Sequence, residues 1–397
     1  MASSPLRCLL ASPAHPISGQ PRTAATLRIQ HAPPSVNYVF VTGRVPKAPS
    51  DGEYAVSPGV LARWTTLLFD GERRDDVDLE HHMFWYLPQA ASAFWTRWLP
   101  GLLEGRLPRL AAALERRGKP WIQENDTSTG EFLKGYTSSE GKLRWLIELS
   151  ADVLNSSSNK AVITWSRWAA KGFAADGVDE KKVKVVPLPY KVSERAKMRL
   201  ELQGTRENGG GEGTSVVGHV KRKHPLVLFV GADYWRKGGD LVPKVMREVR
   251  KEVTDAKLVY VGNVPEEQAR SFKEDWIEVY PFMSRQKLLS LYPEADVLFM
   301  PTRSDAYGLS LIEAMAEGVP VVSTRVNAIP EIVCQDCGYL ANVDDSDAMA
   351  EHIVRVLSDR DLRTKMGLGA IKKVEAEHNP QDVSKKLLGI YEEAIGS

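Results

Sequence analysis

From His224 onward the chain repeats one pattern, a short apolar run, a turn and a helical stretch, and this constrains the fold more than any other feature. "HPLVLFVGA" (His224–Ala232) precedes a helical stretch over about 240–253, and "AKLVYVG" (Ala256–Gly262) follows it. "WIEVYPFM" (Trp276–Met283) leads to the helical "RQKLLSLYPEA". "ADVLFMP" (Ala295–Pro301) and "GVPVVST" (Gly318–Thr324) bracket "SDAYGLSLIEAMAEGVP". Apolar runs this short, ended by Gly or Pro and separated by helices, read as buried strands joined by crossovers. That is the α/β class with a parallel sheet, whose ligands sit at the carboxyl ends of the strands.

The first half carries the same signals less regularly. "LRCLLAS" (Leu6–Ser12), "VNYVFVTG" (Val36–Gly43), "PWIQEND" (Pro120–Asp126), "NKAVITWS" (Asn159–Ser166) and "KKVKVVPLPY" (Lys181–Tyr190) read as strands. Helical stretches are expected from about Phe94 to Arg117, over "KLRWLIELSADVL" and over "RWAAKGFAADGV". At 397 residues the chain exceeds one typical core. Two doubly wound, Rossmann-like domains with a cleft between them are therefore expected: 1–195, then a flexible Gly-rich linker over 196–222 ("GTRENGGGEGTSVVG"), then 223–375. A helical tail at 376–397 is expected to pack back toward the first domain.

Charge and composition exclude several classes. Lys and Arg total 52 against 51 Asp and Glu, which argues against a general nucleic-acid binder. No apolar run approaches the roughly 20 residues of a membrane-spanning helix. Three cysteines, Cys8, Cys334 and Cys337, make no disulfide framework and point to a reducing, cytoplasmic compartment. No acid precedes Asp51, so an Arg-rich, acid-poor start has to be weighed as an organelle transit peptide. A first strand at once, from Leu6, is the preferred reading. The segment 94–119 mixes Trp95, Trp98 and leucines with six cationic residues, a face suited either to peripheral membrane contact or to a core helix with a basic solvent side.

Three features of the second half converge on one ligand. Gly308, Leu309 and Ser310 open a helix, and the free amides of a first turn attract phosphate. "GADYWRKGGDL" (Gly231–Leu241) leaves a strand end with Arg236 and Lys237 beside two glycines, cations able to neutralise a diphosphate. Glu313, one turn into the helix, is placed to reach a ribose diol. Together they ask for a nucleoside diphosphate with something attached.

"VLFMPTRSDAYGLSLIEAMAEGVPVVSTRVNAIPEIV" resembles the donor-site signature of retaining glycosyltransferases of the GT-B fold, in glycosyltransferase family four (glycosyl transferases group 1). "LFVGADYWRKGGDLV" is similar to the phosphate loop of that family. The resemblance covers roughly Leu226–Ala394. It implies a sugar transferred from a nucleotide-diphosphate donor to an acceptor hydroxyl, with retention and without a metal cofactor. Asp305 stands where the family's first acid contacts the donor sugar, and Glu313 where the second binds ribose. The amides of Gly308 and Leu309 would hold the β-phosphate, Lys237 and Arg236 the leaving diphosphate. Tyr280 and Phe282 would border the base. The acceptor, a glycan, lipid or small molecule, would bind the first domain. Three departures stand out: Asp305 replaces the usual Glu, Ala232 replaces the usual Arg, and the first domain's glycine pair is reduced to Gly19. A nucleotide-sugar epimerase or hydrolase of the same fold, and a non-catalytic nucleotide-sugar-binding protein, are the alternatives.

Other motifs read as ordinary structure. Asp76–Asp78 imitates a metal-binding acid pair but sits in a charge run with no apolar strand leading directly into it. Cys334-x2-Cys337 is half of a metal or redox site with no second pair, so it reads as a turn holding two small residues. His15, His81 and His82 lie in the domain where the family often places a histidine near the donor sugar.

Overall fold

The computed structural model describes residues 5–13, 23–43, 77–83, 120–136, 144–205 and 224–396. The chain divides into two compact units, 1–189 with 380–397, and 190–379.

Unit one holds a parallel sheet of six strands: β1 (Leu6–Pro13), β2 (Val36–Gly43), β3 (Leu79–Met83), β4 (Trp121–Asn125), β5 (Asn159–Thr164) and β6 (Val183–Val185), in the order β2-β1-β3-β4-β5-β6. Its helices are α1 (Thr23–Gln30), α2 (Thr129–Tyr136), α3 (Arg144–Asn155) and α4 (Arg167–Ala175). Ser166 caps α4, its side chain accepting the Ala169 amide, so "WSRWAA" turns from strand to helix within two residues. The central strand β3 reads "LEHHM". Nothing in its sequence announces a buried strand, yet Leu79, His81 and Met83 point into the core with exposures of 2% or less.

Unit two has a second parallel sheet: β7 (Leu226–Val230), β8 (Lys257–Val261), β9 (Ile277–Tyr280), β10 (Val297–Met300), β11 (Val321–Thr324) and β12 (Gly338–Ala341), in the order β12-β11-β10-β7-β8-β9. The strands β7, β10 and β11 are almost wholly buried, which is why they read as continuous apolar runs. The chain winds outward from β7 through β8 to β9, then returns to β10 on the other side of β7. After β7 the chain runs on toward one edge of the sheet and after β10 toward the other, so these neighbouring strands mark its switch point, the place where open α/β sheets form a ligand crevice.

The boundaries differ from those expected. The units divide at Pro189/Tyr190 rather than at 195, and Glu194–Thr205 is a helix, α5, rather than linker. Ser193 accepts the amide of Ala196 at its start, Ala196 and Leu200 are buried, and Lys197 pairs with Glu375. Apolar residues four apart made this segment a helix packed on the helix Arg360–His378, although the adjoining "GTRENGGGEG" suggested linker for the whole. Residues 206–223 lie outside the described residues.

The remaining helices of unit two are α6 (Leu241–Glu252), α7 (Arg285–Leu291), α8 (Leu309–Ala316), α9 (Ile329–Ile332), α10 (Ser346–Ser358) and α11 (Arg360–His378). The last helix, α12 (Pro380–Gly396), belongs to unit one. Its Val383, Leu387, Tyr391 and Ala394 recur at one helical face and pack with Cys8, Leu79, Ile122 and Ile163 of the sheet. No described helix is long and apolar enough to cross a membrane.

Candidate active site

The two loops at the switch point are stitched together by backbone. The amide of Arg303 donates to the carbonyl of Arg236 at 2.8 Å, and the Thr302 hydroxyl donates to the same carbonyl at 3.1 Å. Gly238 makes this approach possible. Its φ is +71°, and a Cβ there would lie 2.0 Å from the Pro301 carbonyl oxygen, so no other residue fits without displacing the β10 loop. Arg303 clamps the far side with a bidentate pair to Asp240 at 2.7 and 2.8 Å.

Stitching brings two predicted residues into contact. Lys237, from the β7 loop, forms an ion pair with Asp305, from the β10 loop, and their side chains are only 15% and 12% exposed. Burial pulls the Lys237 ammonium below its ordinary value, with Asp305 opposing that pull. Arg236 is used differently. Its Nε donates to Asp233 at 3.0 Å and its Nη1 to the Ser304 carbonyl at 2.8 Å, so the guanidinium braces the loop on which Asp305 sits.

Three residues beyond Asp305 the chain turns into α8 through Gly308, whose φ of +75° is left-handed. No side chain caps the helix. The first amides of a helix have no intrahelical acceptor, so those of Leu309 and Ser310 present a positive end beside the β10 loop. Glu313 lies one turn further in and is 3% exposed. Both its oxygens are engaged: Arg285 Nη1 donates to Oε1 and the Tyr292 hydroxyl to Oε2, each at 2.7 Å. Arg285 is its one partner with substantial exposure, at 40%. Tyr280 ends β9, with Lys287 5.0 Å over its ring and its hydroxyl on Glu278, while Phe282 is 66% exposed on the following turn.

Unit one holds a polar cluster that the sequence reading missed. Glu124 on β4, Arg28 on α1 and His81 on β3 are at most 1% exposed. Glu124 Oε1 accepts from Arg28 Nη2 at 2.9 Å and Trp165 Nε1 at 2.6 Å, and Oε2 lies 2.9 Å from His81 Nε2. Arg28 also donates to the carbonyls of Val186 and Pro187. Tyr391 of α12 bonds His81 Nδ1 at 2.6 Å and Tyr38 at 2.9 Å. Burial alone would raise the Glu124 carboxyl, but Arg28 and His81 bring it down to about 2. Burial holds His81 below its ordinary value, hence neutral. With Nε2 facing a carboxylate, the proton belongs there, and Nδ1 accepts from Tyr391. His81 is thereby a core residue that ties α12 to the sheet. His82 pairs with Glu80 at 2.9 Å. Asp78 accepts the Arg7 amide. His15, Gly19, Asp76 and the segment 94–119 lie outside the described residues.

Residues 216–373 match the family described as Glycosyl transferases group 1. Unit two carries a glycosyl transferases group 1 domain. Over 161 residues, 39% of its length, the chain is 32% identical to N-acetyl-alpha-D-glucosaminyl L-malate synthase of Bacillus anthracis, covering 42% of that protein. Over 163 residues, 38% of the chain, it is 29% identical to sulfoquinovosyl transferase SQD2 of Arabidopsis thaliana, covering 30% of that protein. The match thus spans less than half the length of these curated relatives. Among solved structures, Anabaena HepE in complex with UDP and glucose superposes with a TM-score of 0.66 at 14% identity, covering 98% of this chain and 99% of that one. Sucrose-phosphate synthase from Thermosynechococcus elongatus gives 0.67 at 15% identity, covering 98% of both chains. At such identities the likeness concerns the fold, two Rossmann-like α/β units, which is GT-B. The group 1 match ends at residue 373, before α12, and begins after the last strand of unit one.

Proposed function

We propose that the protein transfers a hexose from a nucleotide-diphosphate sugar to an acceptor hydroxyl, with retention of configuration and without a metal cofactor. The observation that carries this reading is the Lys237–Asp305 pair, set at the sheet's switch point three residues before the uncapped start of α8. Breaking the bond between sugar and diphosphate develops negative charge on the leaving phosphate. Lys237 and the amides of Gly308 and Leu309 are the groups on these two loops suited to that charge. Preorganised donors of this kind contribute about 3–4 kcal/mol each to lowering a barrier. Asp305 is suited to the hydroxyls of the departing sugar and, through Lys237, to holding the ammonium in place before substrate arrives. Glu313 is assigned the ribose. Because Arg285 occupies its Oε1, the diol would share Glu313 with Arg285 or displace it. Tyr280 and Phe282 border the base, and unit one takes the acceptor. HepE was solved with UDP and glucose, and this supports a nucleotide-sugar donor here.

The testing experiment incubates the purified protein with a panel of nucleotide sugars, with and without added acceptors and with EDTA. Release of nucleoside diphosphate coupled to a new α-linked product from an α-linked donor, unaffected by EDTA, is expected. Binding without turnover across the panel would overturn the catalytic reading. An isomerised donor without transfer would make it an epimerase.

A further inference from the structure

Cys334 and Cys337 lie away from both donor loops, in the turn between α9 and β12. The Cys337 amide donates to the Cys334 carbonyl at 3.1 Å, the Cys334 amide donates to Cys337 Sγ at 2.9 Å, and the two Sγ atoms are 2.8 Å apart. The two thiols are not equivalent. Cys337 is fully buried, and burial raises its thiol so that it stays protonated at neutral pH, whereas Cys334 is partly exposed. The turn is also backed from behind. The Asp336 carbonyl packs so closely on α11 that a Cβ at Gly369 would lie 2.0 Å from it. The pair is therefore held together by the turn and its support, with one residue partly exposed and the other closed to solvent. The third cysteine, Cys8, is buried in the core of unit one.

We propose that Cys334 and Cys337 are a reversible dithiol–disulfide couple, in which Cys334 is the entry thiol and Cys337 the resolving thiol. The oxidant is a low-molecular-mass disulfide such as oxidised glutathione. Cys334 loses its proton to solvent, and its thiolate attacks one sulfur of that disulfide, forming a mixed disulfide and expelling one glutathione thiolate. Cys337 then attacks Cys334 Sγ as its proton passes to the departing glutathione sulfur, so the second glutathione leaves as the thiol. In balance, the two cysteines give up two electrons and two protons, and one disulfide becomes two thiols. The new bond staples the turn that ends α9 and begins β12. Access sets the order, because only Cys334 is open to the incoming disulfide.

The test treats the full chain with oxidised glutathione and reads intact and peptide masses. The wild type is expected to lose two hydrogens, with Cys334 joined to Cys337 and no retained glutathione, and to regain them on reduction with dithiothreitol. Cys337→Ser should accumulate one glutathione on Cys334. Cys334→Ser should stay unmodified at Cys337 and Cys8. A wild type that retains a stable glutathione on Cys334, or that does not react at either cysteine, overturns the couple. Modification of Cys337 in Cys334→Ser as fast as Cys334 reacts in the wild type overturns the order of attack. Should Cys337→Ser fail to fold, the wild-type peptide masses alone decide whether the couple exists.

Discussion

Replacing Asp305 by Asn keeps its shape and removes its charge, and the structure makes the outcome for ligand binding counter to a simple loss of function. In the free protein Lys237 has Asp305 as its counter-ion, and both side chains are seven-eighths shielded from solvent. Exposed ion pairs contribute roughly 0–1 kcal/mol, and breaking fully buried ones costs about 3–5 kcal/mol, so this pair falls near 2 kcal/mol. A nucleoside diphosphate that recruits Lys237 has to compete with Asp305 for the ammonium and to tolerate a carboxylate beside its own charge. Asp305→Asn removes both penalties. About 2 kcal/mol corresponds to about a thirtyfold gain in affinity for the nucleoside diphosphate.

Protonation opposes part of this gain. Burial already pulls Lys237 down, and without Asp305 it falls further, so at higher pH the variant has to take up a proton when the diphosphate binds. The gain should therefore be largest at low pH and shrink as pH rises. Calorimetry at two pH values in buffers of different ionisation enthalpy reads both the affinity and the proton uptake. Transfer should fall by about two orders of magnitude or more in the same variant, the scale of losing one group that acts on developing charge. A natively folded Asp305→Asn protein that binds the diphosphate no more tightly than wild type at any pH would refute the competition between Asp305 and ligand for Lys237.

Three further outcomes follow from the geometry. Glu313→Gln should weaken nucleoside diphosphate binding by about 1–3 kcal/mol while leaving inorganic diphosphate, which has no ribose, unchanged; equal loss for both ligands would assign Glu313 to the support of α8 through Tyr292 and Arg285. The transfer rate should decline on its alkaline side below the ordinary lysine value of 10.5, because a depressed Lys237 loses its proton early; in Lys237→Arg that limb should vanish, and a limb that stays fixed rules Lys237 out. In unit one, Glu124→Gln leaves Arg28 buried without a counter-charge. It should cost about 3–5 kcal/mol, read as roughly two or more orders of magnitude faster hydrogen exchange in β4, β5 and α12, and Arg28→Met with Glu124→Gln should recover part of the loss.

The same cluster sets the acid behaviour of unit one. Glu124 is lowered from 4.5 to about 2 in the folded protein, so between those values the unfolded chain binds more protons. Its contribution is complete above about 4.5 and is lost as pH falls toward 2. His81 is depressed from 6.5 by burial, so below 6.5 the unfolded chain again gains protons first, and stability begins to fall there. Both groups push in one direction, toward loss of unit one on acidification.

How much of this was legible in the sequence depended on what each residue is buried against. Strands β7, β8, β10 and β11 are buried along nearly their whole length on both faces, and their short, mostly apolar runs announce them. The loop carrying Lys237 was legible as a cation beside two glycines at a strand end, and that carrying Asp305 through the resemblance of its segment to the family's donor-site signature. The ion pair itself was not. It depends on Gly238 letting one loop lie against Pro301, a tertiary contact between segments 63 residues apart in the chain (301 less 238) that no local pattern encodes. Unit one shows the opposite limit. "LEHHM" reads as a charged surface segment, because propensity and hydropathy assume that His and Glu face water. His81 is inside because Glu124 and Tyr391 meet it there, and Glu124 is inside because Arg28 and Trp165 do. Each of those four partners comes from a different element: β4, α12, α1 and the end of β5.

That dependence also explains why the chain's last helix is needed at its first sheet. A neutral His81 with Nδ1 unpaired would be a buried polar atom without a partner, which costs about 1–3 kcal/mol. Tyr391 supplies that partner, and its own hydroxyl accepts from Tyr38 on β2. Around this polar contact, Val383, Leu387 and Ala394 cover Cys8, Leu79 and Ile122. The apolar face gives α12 its affinity for the sheet, and the Tyr391–His81 bond fixes where along the sheet it sits. Tyr391→Phe keeps the former and removes the latter. It should therefore leave α12 docked, raise the exchange rate of its amides about fivefold to a hundredfold by the lost bond, and leave unit two unchanged. Complete loss of protection in α12 would mean that the hydroxyl, rather than the apolar face, holds the helix in place.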